Sequence, residues 1–220
     1  MRGVLRDNGL SLVMFGLFLV FLVAQSVAGY KVNNSDNAQH HQPPESYGQY
    51  LTSGAFVEAT FENWESEFLQ MGAYVVLTAL LLQKGSPESK SPEGEASDQD
   101  PRAKRDAPDA PGPVRRGGLV LSVYEHSLSI ALFALFLVSF VLHALGGHAE
   151  FNQQQVQHGA SVVSLWSFVT SSQFWFQSMQ NWQSEFLAVA ALIVLGIYLR
   201  QRGSPESKPV AAPHAKTGSN

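Results

Sequence analysis

Asn63-Trp64-Glu65-Ser66-Glu67-Phe68-Leu69 returns 118 residues later as Asn181-Trp182-Gln183-Ser184-Glu185-Phe186-Leu187. The match extends outward in both directions. Residues 8–90 align with residues 126–208 without a gap, and 33 of the 83 positions are identical. Leu17-Phe18-Leu19-Val20 recurs as Leu135-Phe136-Leu137-Val138, and Gly85-Ser86-Pro87-Glu88-Ser89-Lys90 recurs unchanged at 203–208. Self-similarity at a fixed offset marks a duplicated structural unit.

Each copy holds two apolar blocks. The first block, Leu10 to Ala28, and the third, Leu128 to Leu145, reach the roughly 18–20 residues that cross about 30 Å of hydrocarbon. The second, Phe68 to Leu82, and the fourth, Phe186 to Leu199, are shorter, at about 20 Å. They span if the preceding turn, with Trp64 or Trp182, enters the headgroup layer. Block one also reads as a signal peptide, with Arg2 and Arg6 ahead of it and Ser26-Val27-Ala28 as a cleavage site. Its counterpart in mid-chain argues against that. Four spans are therefore expected, at about 10–28, 62–83, 126–145 and 180–201. An even number per copy makes the copies parallel, related by a pseudo-two-fold axis along the membrane normal.

Bulk composition agrees with lipid. Charged residues are 15% of the chain, against roughly 25% in soluble domains. The near-zero mean hydropathy averages over segregated polar and apolar blocks. The net charge of -4 and the lack of a basic patch with interleaved aromatics give no argument for nucleic acid, and no nucleic-acid partner is expected. With no cysteine, disulfides, thiolate metal sites and a cysteine nucleophile are excluded.

Of the 14 Lys and Arg residues, only Lys31 lies between the spans of one copy. The others lie before span one, between spans two and three, or at and beyond the end of span four. The positive-inside rule then puts both termini and the central segment in the cytoplasm. The expected organisation is a first membrane repeat (1–90), a disordered linker (91–118) rich in Pro, Gly and charge, a second repeat (119–208) and a disordered tail (209–220). The outer loops carry Tyr47, Tyr50, Phe56 and Phe61 in one copy, and Trp166, Phe168, Phe174, Trp175 and Phe176 in the other. One or two short helices are expected there, either lying on the outer leaflet or packed as a lid on the bundle.

The repeated polar motif carries the candidate site: Asn63, Glu67, Asn181 and Glu185. On a helix, Asn and Glu four residues apart share a face, so two amides and two carboxylates can line an outward vestibule for a cation or proton. The structural reading of the same residues is an Asn N-cap, a Glu in the first turn against the helix dipole, and Trp64 and Trp182 as interface anchors. Gly85 and Gly203 are expected to stop the even-numbered helices. His40 and His158 are equivalent, but no ligand-pair spacing accompanies them, so no metal and no cofactor is expected. Gln25 and His143 are equivalent near the outer ends of spans one and three, and no Asp, Glu, Lys or Arg lies at mid-depth. Walker, dinucleotide, zinc-protease and nucleophile-elbow motifs are absent, so an enzyme is not expected.

Leu5-Arg6-Asp7-Asn8-Gly9-Leu10-Ser11-Leu12, the Asn-Trp-Glu-Ser-Glu-Phe-Leu-Gln segment at 63–70 and the two Gly-Ser-Pro-Glu-Ser-Lys stretches resemble an uncharacterised family of small bacterial membrane proteins, classed as a domain of unknown function. The resemblance covers nearly all of the chain outside the linker and tail. It implies a multi-helix protein of the bacterial inner membrane and brings no activity with it. Two functions are expected from the residues: a non-enzymatic scaffold or interaction protein, with lipid, a membrane-protein partner or a second copy as its partners, or a small channel or transporter passing Glu67 and Glu185.

Overall fold

A computed structural model describes residues 7–94 and 96–217. Arg2 and Arg6 lie outside the described residues. Every regular element among those described is helical. The first copy forms α1 (Gly9–Gln39), α2 (Tyr47–Tyr50) and α3 (Gly54–Leu80). Two 3-10 turns, Ala96–Asp98 and Pro101–Lys104, follow, then α4 (Gly112–Arg116) and α5 (Gly118–Glu125). The second copy forms α6 (Ser127–Gln157), α7 (Leu165–Val169) and α8 (Ser172–Tyr198). The helices α1, α3, α6 and α8 keep the 118-residue offset at both ends.

Among the described residues, three helices are long and apolar enough to cross a membrane: α1, α6 and α8. At ~1.5 Å per residue, the 31 residues of α1 and of α6 reach about 46 Å, well beyond about 30 Å of hydrocarbon. The helix therefore continues into much of what reads as outer loop, where Asn33, Asn34, Asp36 and Asn37 make α1 polar. The fourth long helix, α3, matches α8 in length but carries Glu58, Glu62, Glu65 and Glu67. In α8 the same positions are Phe176, Gln180, Gln183 and Glu185. Four carboxylates against one explain why α3 is the less apolar of the pair.

Burial runs opposite to that of a water-soluble domain. Among the described residues, the buried apolar set is Tyr50, Val114, Leu121, Ala144, Phe168 and Phe174, while thirteen polar or charged residues are buried. Leu, Val and Phe side chains along α1, α6 and α8 point outward. Continuous apolar surface of this extent suits contact with lipid. The architecture is that of a membrane protein.

The chain divides into two compact units, each drawing on both copies. One comprises residues up to Phe61 together with Val141–Trp175. Here the aromatic segments between the long helices form the short helices α2 and α7. Ser46 caps α2 in a capping box with Gln49, and Ser164 caps α7. Each short helix presents a ring to a glycine. The Tyr50 hydroxyl occupies the space a Cβ on Gly29 would need, and Phe168 lies 3.0 Å from the corresponding point on Gly147. Tyr50 then meets Phe56 edge-on at 5.5 Å, and Phe168 meets Phe174 at 5.6 Å. These rings pack inward as a lid does, while Trp166 is 77% exposed. Asn34 and Asn152 each bond both backbone groups of one loop residue, Glu45 and Val163.

In the same unit α3 crosses α6 at glycines. A Cβ on Gly54 would fall 2.5 Å from the Glu150 amide nitrogen, and one on Gly146 would fall 2.7 Å from that of Glu58. Close approach without side chains strengthens van der Waals packing between helices in lipid. Gly146→Val is expected to destabilise the protein by about 1–3 kcal/mol, as overpacking does. Gly16→Ala, where a Cβ meets nothing within 4 Å, is expected to be near neutral. Thermal unfolding of both variants in detergent checks the pair.

Candidate functional site

The second unit holds Glu62–Phe140 and Phe176–Asn220. It brings the two copies of the repeated motif together on α3 and α8. The motif lies inside these helices rather than at their starts. Ser53 and Ser171 hold the first turns, accepting from the amides of Phe56 and Phe174 at 3.3 Å. Asn63 and Asn181 are thus helix-interior residues and not N-caps, and Glu67 and Glu185 lie beyond the reach of the first-turn dipole. Serine follows the same local rule in both copies. Ser66 donates to the Asn63 carbonyl at 2.8 Å and Ser184 to that of Asn181 at 2.9 Å.

Two hydrogen bonds join α3 to α8. Asn181 Nδ2 donates to Glu62 Oε1 at 2.6 Å, and Trp182 Nε1 donates to Glu65 Oε1 at 2.8 Å. Glu65 is fully buried. The Trp182 ring meets Phe136 of α6 edge-on at 6.1 Å, and Phe136 meets Phe140 at 5.8 Å. Trp182 therefore engages a buried carboxylate, where the sequence suggested an interface anchor. Its counterpart Trp64 is half-buried. Of the four candidate site residues, Asn63 and Glu67 are exposed, while Asn181 and Glu185 are half-buried. Glu67 and Glu185 lie near enough to repel one another.

Sequence reasoning missed Glu62 and Glu65. The signal was present in the comparison of the copies. The two positions are Glu in the first copy and Gln in the second, inside an otherwise repeated stretch. A carboxylate offers only acceptors, so the divergence gives one helix acceptors for the donors on the other.

A family model described as Domain of unknown function (DUF6766) matches residues 1–219. The chain belongs to the DUF6766 family. No curated protein and no solved structure matches it. The DUF6766 match spans both motif-bearing stretches and the segment between them.

The second repeated motif of this DUF6766 chain, Gly-Ser-Pro-Glu-Ser-Lys, folds alike in both copies. Gly85 and Gly203 take φ of +91° and +88°, the left-handed region that favours glycine. They sit in the turn after each helix rather than at its stop, since α3 ends at Leu80 and α8 at Tyr198. The amide of Gln83 is taken by Ser89 Oγ at 2.7 Å, and that of Gln201 by Ser207 Oγ at 2.8 Å. A side-chain acceptor there replaces the helical carbonyl and ends the helix. The turn in the first copy carries Glu88 back to α3, where Tyr74 Oη donates to its Oε2 at 2.7 Å.

The Trp182–Glu65 bond makes the first copy of the motif a packing element. Trp182→Phe keeps a ring on Phe136 and removes the donor. The expected cost is about 1–3 kcal/mol, that of taking a donor from a buried acceptor. A double-mutant cycle with Glu65→Leu, measured by unfolding in detergent, is expected to show coupling above about 0.5 kcal/mol. Additive losses would show that the bond holds nothing.

Proposed function

We propose that this chain is a non-enzymatic scaffold or interaction protein of the cell inner membrane. It crosses the bilayer four times as two parallel helical hairpins in tandem with pseudo-two-fold symmetry, both termini in the cytoplasm. The observation that carries this reading is the use of the motif. Asn181 and Trp182 bind Glu62 and Glu65, so these polar groups join helix to helix rather than line an open path. The apolar faces of α1, α6 and α8 are left for lipid, for a membrane-protein partner or for a second copy of the chain.

A small channel or transporter is the second reading. It is favoured by one feature, the approach of the Glu67 and Glu185 carboxylates to each other. Paired carboxylates within a membrane protein are a default candidate for handling a cation or proton.

Reconstitution into liposomes with proton and cation flux assays separates the two. A scaffold is expected to give no flux above empty liposomes. Flux abolished by Glu67→Gln with Glu185→Gln would replace the scaffold by the channel. Topology is read independently from single cysteines introduced into this cysteine-free chain. Labels at His40 and at Asp100 are expected to react from opposite sides of the membrane. Reaction of both from one side would break the proposed orientation.

A further inference from the structure

Two histidines 118 residues apart in the chain come together in the first unit. His40 directly follows α1 and His158 directly follows α6, at equivalent positions of the two copies. Their ring centres are 5.3 Å apart and the rings are inclined at 64°. Spacing along one helix does not supply this pair, since each helix end carries one member. The fold makes it across the copies.

Both rings are held in the same way. His40 Nδ1 lies 3.0 Å from the Asp36 carbonyl oxygen, and His158 Nδ1 lies 2.7 Å from that of Gln154. A carbonyl oxygen only accepts, so in each ring Nδ1 carries the hydrogen. The neutral imidazole then keeps its lone pair on Nε2. Among the described residues neither Nε2 takes part in a hydrogen bond. An Nδ1–H fixed on a backbone carbonyl is the arrangement that orients a histidine for metal binding through Nε2.

We propose that His40 and His158 together bind one divalent transition-metal ion of the zinc class through their Nε2 atoms, joining the ends of α1 and α6. The separation fits. Two imidazoles on one tetrahedral zinc ion, each nitrogen ~2.0–2.1 Å from the metal, have ring centres about 5.2 Å apart. The observed 5.3 Å leaves only rotation about side-chain bonds to be adjusted. Imidazole nitrogen selects zinc, copper or nickel over magnesium and calcium, which take oxygen ligands.

The surroundings favour a cation. Residues 29–61 and 141–175 carry four carboxylates, Asp36, Glu45, Glu58 and Glu150, against the single cation Lys31. Asp36 Oδ1 lies 3.7 Å from His40 Nδ1, on the side of the ring away from the proposed ion. Asp36 and Glu45 also lie near enough to Glu150 for their charges to act on it. Clustered negative charge raises the local concentration of cations. The His40 side chain is 28% exposed and His158 is exposed, so an ion enters from solvent and keeps water in its remaining positions. The site asks nothing of Glu67 and Glu185 and stands apart from the choice between scaffold and channel.

Calorimetric titration of the untagged full chain in detergent with Zn2+, after chelator treatment, tests the proposal. One ion per chain is expected. His40→Ala and His158→Ala are each expected to weaken binding at least about tenfold, since even the outer partner of a metal ligand is worth that much. Saturating Zn2+ is expected to raise the unfolding temperature of the wild type and not of either variant, an effect that ring packing alone would not produce. With Cu2+ as probe, the electron paramagnetic resonance spectrum is expected to show two coordinated nitrogens in the wild type and one in either variant. His41→Ala and His126→Ala, which remove other exposed histidines, are expected to leave binding intact. His158→Ala decides the matter if His40→Ala does not fold. Absent binding, binding retained in both pair variants, loss on His41→Ala or His126→Ala, or a single nitrogen in the wild type would overturn the site.

Discussion

Hydrocarbon offers nothing to hydrogen-bond. The apolar faces of α1, α6 and α8 suit that solvent, and the rest of the architecture follows from accepting it. Backbone groups must close within each helix, which is why no other element type is seen among the described residues. Ser66, Gln70, Ser139, His143 and Ser178 are buried while leucines and phenylalanines face out, the reverse of a core formed in water. In such a setting apolar contact between helices has no solvent-driven advantage over contact with lipid. What holds one helix to another is close approach at glycines and bonds between polar side chains. Gly54 with Gly146 supplies the first; Asn181–Glu62 and Trp182–Glu65 supply the second.

Duplication and divergence have different uses in this chain. What repeats is local. The Ser caps, the asparagine clamps at Asn34 and Asn152, the ring-on-glycine contacts and the two serine-closed turns each occur twice. Each of these satisfies groups within a few turns of one copy. What diverges is what joins the copies. Glu62 and Glu65 accept where Gln180 and Gln183 stand in the other copy. Two identical helices would present identical donor and acceptor patterns to each other. Replacing amides by carboxylates on one helix makes the pairing directional.

Much of the fold was legible because it depends on short-range chemistry. The 118-residue offset, the lengths of the apolar blocks and the left-handed glycines at 85 and 203 are all properties of nearby residues. The helix starts were harder to read. Asn63 has the composition of a cap, but Ser53 and Ser171 lie further upstream and nothing between breaks the helix, so the helix takes the earlier start. The length of α1 could not be read from polarity either. Polar residues cluster from Asn33 onward, yet backbone bonding carries the helix on to Gln39.

By itself the sequence determined that this is an all-helical chain of two self-similar stretches with lipid-length apolar segments, because periodicity, block length and turn chemistry are local and additive along the chain. Only the tertiary structure decided which polar residues matter. Asn63 and Glu67 looked most conspicuous, and both are exposed. Glu65 and Glu88 stood out only as members of repeated motifs, yet one is bonded by Trp182 and the other reaches back to Tyr74. The physical reason is that a hydrogen bond across helices depends on rotation about each helix axis and on the depth at which the helices meet. Neither quantity is encoded in any short stretch of residues.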